Sequence, residues 1–324
     1  MNKFRFGNVD NDNTWDEFVK LSPQGNVFFT SAYLSCSGVN NVKLWILKGN
    51  QIKAGLCLIL DDSGNSVILD DFVIYSGLML EKEVDCKKVS KVHAENFEII
   101  EFCLKNLVDK YKTFAISLSP NISDMRPFLW LNYHTKDLAK CEISVRYTSY
   151  IDISELFLKK NDYDNDLFNQ LDSKRQADIK KGKKTLTISE EVSPKEIVSL
   201  YSSTLSLQDV NVSEKKSNRM VYLIDRLCEY GYARKYGAYN SEGDLTYAVV
   251  FTIFNNEGVY LFGAGDNKIM NRYDGSFCIW SSFHKLSDLG VCLIDMEGIN
   301  SPKRGQYKLS FGGDITPYYE VKDV

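Results

Sequence analysis

Two acids, two cations and a glycine-rich turn stand close together near the end of the chain, in VCLIDMEGINSPKRGQYKLSFGGDITPYYEV, residues 291–321. The apolar run Val291-Cys292-Leu293-Ile294 is long enough for one buried strand. Asp295 and Glu297 follow it, and residues two apart in extended chain share a face. Both carboxylates are therefore expected on one side of the strand tip. Gly298 to Pro302 reads as a loop, and Arg304, Lys308 and Phe311-Gly312-Gly313 complete the group. Such a set, within one loop's reach, is how a site for a charged ligand is often built. Arg304 has the planar fork that clamps a phosphate, although surface arginines are common.

Composition narrows the classes. The chain has 324 residues, 44% hydrophobic and 25% charged, enough for one large domain or two ordinary ones. A net charge of −4 argues against a basic nucleic-acid-coating surface. The opening MNKFRFGNVDNDNTW lacks a signal-peptide core, and no run approaches membrane-span length. A soluble, cytoplasmic protein is expected. The eight cysteines stand singly, with no C-x-x-C, which leaves zinc-ribbon and redox motifs without support. No G-x-S-x-G and no Cys-His pairing marks a covalent nucleophile.

The elements that must position the charged group follow from periodicity. Trp15 to Phe18 predicts a helical turn, and Ser31 a cap for a helix through Ala32-Tyr33-Leu34. Val42–Leu47, Ile52–Leu60 and Val67–Leu69 read as an antiparallel meander. Apolar residues three and four apart from Phe97 to Tyr111 predict an amphipathic helix. Strands are expected at Phe114–Leu118, Phe128–Tyr133 and Arg146–Ile153. A helix carrying Ser173-Lys174-Arg175 follows. Pro194 opens another helix, and a further one ends at Gly231. Ala233–Tyr239, Thr246–Phe254 and Val259–Ala264 are three strands, and Phe277 to Leu289 forms the last amphipathic helix. Phe262-Gly263-Ala264-Gly265-Asp266 is read as a turn. The order helix, strands, helix, strand occurs twice, an α+β pattern. Boundaries of 1–145 and 146–324 are expected, with the last strand, about 315–324, packing back on the first domain.

Several motifs together resemble one family. Asp-x-Glu-Gly at 295–298, Tyr307-Lys308 with Phe311-Gly312-Gly313, and Pro317-Tyr318-Tyr319 are similar to the C-terminal pattern of the Fem-type aminoacyltransferases and their tandem GNAT-like relatives. The segment NVFFTSAYL and the helix with Ser173-Lys174-Arg175 and Ile179-Lys180-Lys181-Gly182 add to it. Tyr307 stands where the family usually has Phe, and Arg175 directly follows Lys174 where the family spaces its arginine further on.

The resemblance implies two GNAT-like domains with mixed sheets, and N-acyl transfer without a covalent enzyme intermediate. It makes Glu297 and Asp295 candidate bases or amine-orienting groups, and associates Lys308 with substrate phosphate or the transition state. Lys174, Arg175, Arg304, Tyr307 and His284 are substrate-binding candidates. The plain alternatives are solvated loop acids, an exposed lysine, a solvated basic run at 174–184, and a histidine packing on Trp280. Implied donors are acyl-CoA, an acyl-carrier protein or aminoacyl-tRNA, with no covalently bound cofactor and no metal. Implied acceptors are a nucleotide-linked amino sugar or a peptidoglycan precursor. The pyrophosphate loop of ordinary GNAT enzymes is not found, and 206–217 is too short for the helical arm of some Fem proteins. The alternative is a non-catalytic protein of the same fold that binds a glycan precursor.

Overall fold

The computed structural model describes residues 3–83, 88–135, 137–158, 163, 165–207 and 210–324. The chain divides into two compact units, 1–146 with 317–324, and 147–316.

In the first unit, β1 (Arg5–Asn8), β2 (Asn40–Lys48), β3 (Gln51–Leu60) and β4 (Gly77–Leu80) form an antiparallel sheet in that order. Helix α1 (Asp12–Leu21) starts where the Asn11 side chain accepts from the Asn13 and Thr14 amides. It buries Trp15 and Val19, one turn apart, and the Trp15 indole donates to the Phe29 carbonyl at 2.7 Å. Helix α2 (Ser31–Ser37) is capped by Thr30, whose hydroxyl accepts from the Tyr33 amide, so the cap lies one residue before the expected Ser31. Helix α3 (Val89–Lys110) buries Val92, Ile99, Ile100, Cys103, Leu104 and Leu107 along one stripe. The core joins this stripe to Leu56, Leu58 and Phe114.

Two expectations are corrected here. The third strand of the meander is β4, while 67–69 makes only isolated bridges through Val67. The Asp61 carboxylate takes the Asn65 and Ser66 amides in a turn. The Val67 amide then donates to the Thr113 carbonyl and its carbonyl accepts from the Ala115 amide, while the Ile68 amide donates to the Ile59 carbonyl, so the segment follows no single ladder. Beyond β5 (Ala115–Ser117), the expected extended piece at 128–133 is instead helix α4 (Arg126–Leu129) followed by turns. Pro127 fixes a helical φ in its first turn.

Strand β6 (Cys141–Asp152) carries the chain into the second unit. There follow α5 (Asp166–Gln170), α6 (Ser173–Thr185), β7 (Thr187–Ser189), α7 (Pro194–Ser206), α8 (Glu214–Glu229), β8 (Ala233–Tyr239), β9 (Leu245–Phe254), β10 (Glu257–Gly265), α9 (Asp274–Asp288), β11 (Leu293–Asp295) and α10 (Pro302–Leu309). Strand β12 (Asp314–Asp323) returns to the first unit, where Glu320 to Lys322 pair with β5. The second unit's sheet runs β6-β11-β10-β9-β8-β7, antiparallel except for the parallel pair β10 and β11.

Helix α9 lies on this sheet with Cys278, Ile279, Trp280, Phe283 and Leu286 in the core. Its close neighbour is α6, because Gly182 presents no side chain: a Cβ there would stand 2.4 Å from Phe277 Cβ. Gly182→Ala should therefore lower stability by about 1–3 kcal/mol, the usual cost of overpacking, read as a fall in denaturant midpoint at unchanged slope.

Candidate functional site

The parallel pairing of β10 with β11 is short, ending at Val259 opposite Asp295. Beyond it the two chains part. The segment after β11 stays with β6: the Met296 amide donates to the Ser149 carbonyl, the Ile299 amide to Tyr147, and Asn300 bonds both Tyr147 backbone groups. Strand β10 continues along β9 to Gly265, with a bulge between Tyr260 and Phe262. A cavity of about 340 Å³ opens where they diverge. Its lining includes Tyr260 to Gly265 of β10, Tyr247 of β9, Tyr201 of α7, Gly275 of α9, and Glu297, Arg304, Tyr307 and Lys308.

Glu297 sits at the turn that makes the parting. Its φ is +46°, in the left-handed region, as is that of Gly298. That conformation costs a glutamate about 1–2 kcal/mol. Two contacts offset the cost: the Glu297 amide donates to Asp295 Oδ1 at 2.7 Å, and Lys308 Nζ donates to the Glu297 carbonyl at 2.7 Å. Lys308 is 8% exposed. Its ammonium stands 3.5 Å from Glu297 Oε2 and 4.6 Å from the centre of the Tyr260 ring. Burial raises the Glu297 pKa, with Lys308 opposing, and burial lowers that of Lys308, with Glu297 opposing. The carboxyl is thus a stronger base than an ordinary glutamate, and the ammonium a readier proton donor than an ordinary lysine.

Behind this pair lies a cluster of tyrosines. Tyr247 and Tyr260 hydroxyls are 3.1 Å apart, Tyr247 is also bonded to Tyr307, and Tyr307 to Ser276. Desolvation pushes all three phenols up, so they stay neutral. Gly263 and Gly275 leave the room: a Cβ would stand 1.8 Å from the Tyr260 oxygen at the first and 2.8 Å from the Tyr307 oxygen at the second.

The structure brings four of the expected residues, Glu297, Lys308, Arg304 and Tyr307, to one cavity. The other four lie outside its lining. Asp295 is 3% exposed, and its carboxylate accepts from the Thr148 hydroxyl and the Glu297 amide. The two acids have different settings: the Asp295 carboxylate is held by Thr148 and the Glu297 amide, while Glu297 lines the cavity. Arg175 is buried beneath the site, stacked 4.4 Å from the Tyr307 ring centre and 5.1 Å from that of Phe311, and bonded to Ser310 and Ser276. Lys174 is exposed on α6, and His284 packs edge-on against Trp280 at 5.3 Å. The neighbouring lysines of the basic run lie over aromatic rings, Lys180 and Lys183 over Tyr163, Lys181 over Tyr273.

Sequence reasoning missed Tyr201, Tyr247, Tyr260, Arg272 and Gly275, and took Phe262 to Gly265 for a turn. Those residues are the open edge of β10. Gly263 and Gly265, close together at the end of a strand otherwise rich in apolar residues, are the signal for a close approach there.

Arg175 also meets the buried Asp178 at 3.5 Å, and Asp178 pairs with Arg272 at 3.0 Å. Arg175→Met should cost about 3 kcal/mol by leaving this carboxylate under-compensated, and should loosen the ring of Tyr307. Chemical denaturation reads the first effect and the Tyr307 ring resonances the second.

Burial drives the Cys57 and Cys103 thiols up to about 12, which suits packing groups rather than nucleophiles. Cys86 lies outside the described residues. Among the described residues, no cluster of His, Cys, Asp and Glu is placed to hold a metal ion, and no helix is long and apolar enough to cross a membrane.

The architecture is that of tandem GNAT proteins: two α+β units in succession, the second opening between two parallel strands. Among solved structures the chain is similar to FemX, with a TM-score of 0.65 at 11% identity over 97% of this chain and 96% of that one. It is similar also to a tandem GNAT protein from the clavulanic acid biosynthesis pathway, with a TM-score of 0.54 at 12% identity over 99% and 98%. The C-terminal domain of a putative lysylphosphatidylglycerol synthetase from Agrobacterium fabrum gives 0.55 at 10% over 96% and 92%. No family model and no curated protein matches the sequence. At these identities the likeness defines the fold.

Proposed function

We propose that the chain is a Fem-type N-acyltransferase that moves an acyl or aminoacyl group onto the amine of a cell-envelope precursor. The observation that carries this reading is the Glu297–Lys308 pair, with its opposed pKa shifts, at the mouth of a cavity between diverging parallel strands in a tandem GNAT fold. The amine nitrogen attacks the donor's carbonyl carbon, and the carbonyl electron pair moves to oxygen. Glu297 takes the proton from the attacking nitrogen. Lys308, with donor hydrogens beyond the one it gives to the Glu297 carbonyl, stabilises the oxyanion. Collapse breaks the bond to the leaving oxygen or sulfur, which departs protonated by the Glu297 carboxyl.

Arg304 and Arg272, exposed at the rim, suit a phosphorylated donor or acceptor. Asp295 acts through Glu297 by holding its turn, and Arg175 acts through Tyr307. Acyl-CoA, an acyl-carrier protein and aminoacyl-tRNA are all donors of the required chemistry. A nucleotide-linked amino sugar and a peptidoglycan precursor are acceptors of the required chemistry. These are cytoplasmic compounds, and the reading places the protein with them.

Melting curves with coenzyme A and with a panel of nucleotide-sugars test the reading. A ligand at about 100 times its Kd adds roughly 2.7 kcal/mol, several degrees of melting temperature. A shift with coenzyme A selects a thioester donor, and a shift with one nucleotide-sugar selects the acceptor. A shift that persists unchanged in Arg304→Ala with Arg272→Ala would place the ligand elsewhere.

A further inference from the structure

The first unit carries a second cavity, of about 630 Å³, between α3 and the turns after α4. Phe97, Glu101 and Lys105 of α3 line one side, and Trp130, Tyr133 and His134 the other. Trp130 is 51% exposed and Tyr133 66%. Large aromatic rings are normally buried, so two at the edge of one hollow call for an explanation.

Their setting is fixed rather than loose. Phe97 packs against Trp130 at 5.7 Å, and the Arg126 guanidinium lies 5.8 Å from the Trp130 ring centre. The Tyr133 amide bonds the Trp130 carbonyl, and Tyr133 meets the His134 ring edge-on at 5.2 Å. Asn132 adopts a left-handed φ of +52° and ties its side chain to the Ala139 carbonyl at 2.8 Å. A turn held this way presents its rings at little entropic cost on binding.

Charge then selects the ligand. Lys105 is paired with Glu101 at 3.0 Å, and Arg126 with Asp124 through two nitrogens at 2.8 and 2.7 Å. Both cations are compensated by acids, so among the described residues Lys105 and Arg126 bring no excess positive charge for a phosphate. The hollow offers flat aromatic faces beside a carboxylate, an ammonium and the Thr135 hydroxyl. That combination matches a pyranose, whose axial C–H face stacks on an aromatic ring while its hydroxyls bond the polar rim.

We propose that this hollow binds a neutral saccharide. The proposal is independent of the second unit's chemistry.

Tryptophan emission is a direct readout, because Trp15, Trp45 and Trp280 are buried and Trp130 alone among the four is exposed. The full chain is titrated with N-acetylchitotetraose, maltotetraose and cellotetraose, with uridine monophosphate as the phosphate control. At least one tetrasaccharide should shift the emission and release heat in calorimetry. Tyr133→Ala should weaken that binding about tenfold in both readouts, and Trp130→Ala should weaken it as much in calorimetry. Both variants should keep the circular dichroism of the parent, and Tyr133→Ala, whose side chain is the more exposed, its melting temperature as well. Silence with all three sugars overturns the proposal, as does calorimetric binding undiminished in both variants. Tighter binding of the nucleotide than of any sugar also overturns it. So does a dimer in sedimentation that Trp130→Ala dissolves, which would make the face an interface between copies.

Discussion

Lys308→Met is expected to lower turnover by about 10²–10³-fold, the usual effect of removing one donor to a developing oxyanion. It should also cost stability. The lysine donates to the carbonyl of a residue held at positive φ and faces that residue's half-buried carboxylate. Breaking a fully buried pair costs about 3–5 kcal/mol, and the partial exposure of Glu297 reduces this to about 2 kcal/mol. With its nearest counter-charge gone, the Glu297 pKa should rise further, because Lys308, more than Arg304, opposes the effect of burial. Acyl transfer to an amine acceptor reads the first effect, and denaturant unfolding reads the second. Arginine at this position should not restore the rate. A planar guanidinium does not fit the place of an ammonium stacked on Tyr260 and aimed at one carbonyl.

Glu297→Gln is expected to show a different split, with turnover down by about 10²–10⁴-fold and stability at neutral pH changed by less than about 1 kcal/mol. The sign follows from linkage. The folded state raises this carboxyl's pKa above 4.5, so it holds the proton where the unfolded chain has released it. Stability from this group therefore falls as pH rises from about 4.5 through the raised value, and stays lower above it. Glutamine removes that cost along with the attraction to Lys308, and the two nearly offset. The wild-type rate should rise with pH as Glu297 loses its proton, on a limb that begins above the ordinary glutamate range. The glutamine variant should lack that limb. A variant that kept it would assign the titration to another group.

Much of the second unit was legible in the chain itself. The strand at 233–239 has the expected bounds, and the helix ending before Gly290 follows from its apolar stripe and its left-handed C-terminal glycine. Glu297, Lys308, Arg304 and Tyr307 were legible because they crowd into one loop and one short helix. What local reasoning could not supply was the far wall. Tyr247 and Tyr260 look like ordinary strand tyrosines until the β9–β10 ladder and the early end of β11 set them behind the pair. Asp295 lies outside the lining because its carboxylate is engaged by the Thr148 hydroxyl and by the amide at the Glu297 turn, partners that no local pattern announces. Arg175 reads in the sequence as one of a basic run and a substrate-binding candidate, whereas in space its neighbours are Tyr307 and Phe311. In the first unit, 67–69 has strand composition but lacks a continuous partner. The extended reading of 128–133 overlooked the helical start that Pro127 provides.

The most direct test of the central claim is single-turnover transfer of a labelled acyl group to an amine acceptor, run with the wild type and with the double variant Glu297→Gln, Lys308→Met. The donors are labelled acetyl-CoA and a labelled aminoacyl-tRNA pool, and the acceptors are a nucleotide-linked amino sugar and a nucleotide-linked peptidoglycan precursor. The account predicts an amide product with one donor–acceptor pair, and a rate lower by at least about 10³-fold in the double variant although it remains folded. Equal rates in the two proteins would show that the pair between the diverging strands is not where the chemistry happens.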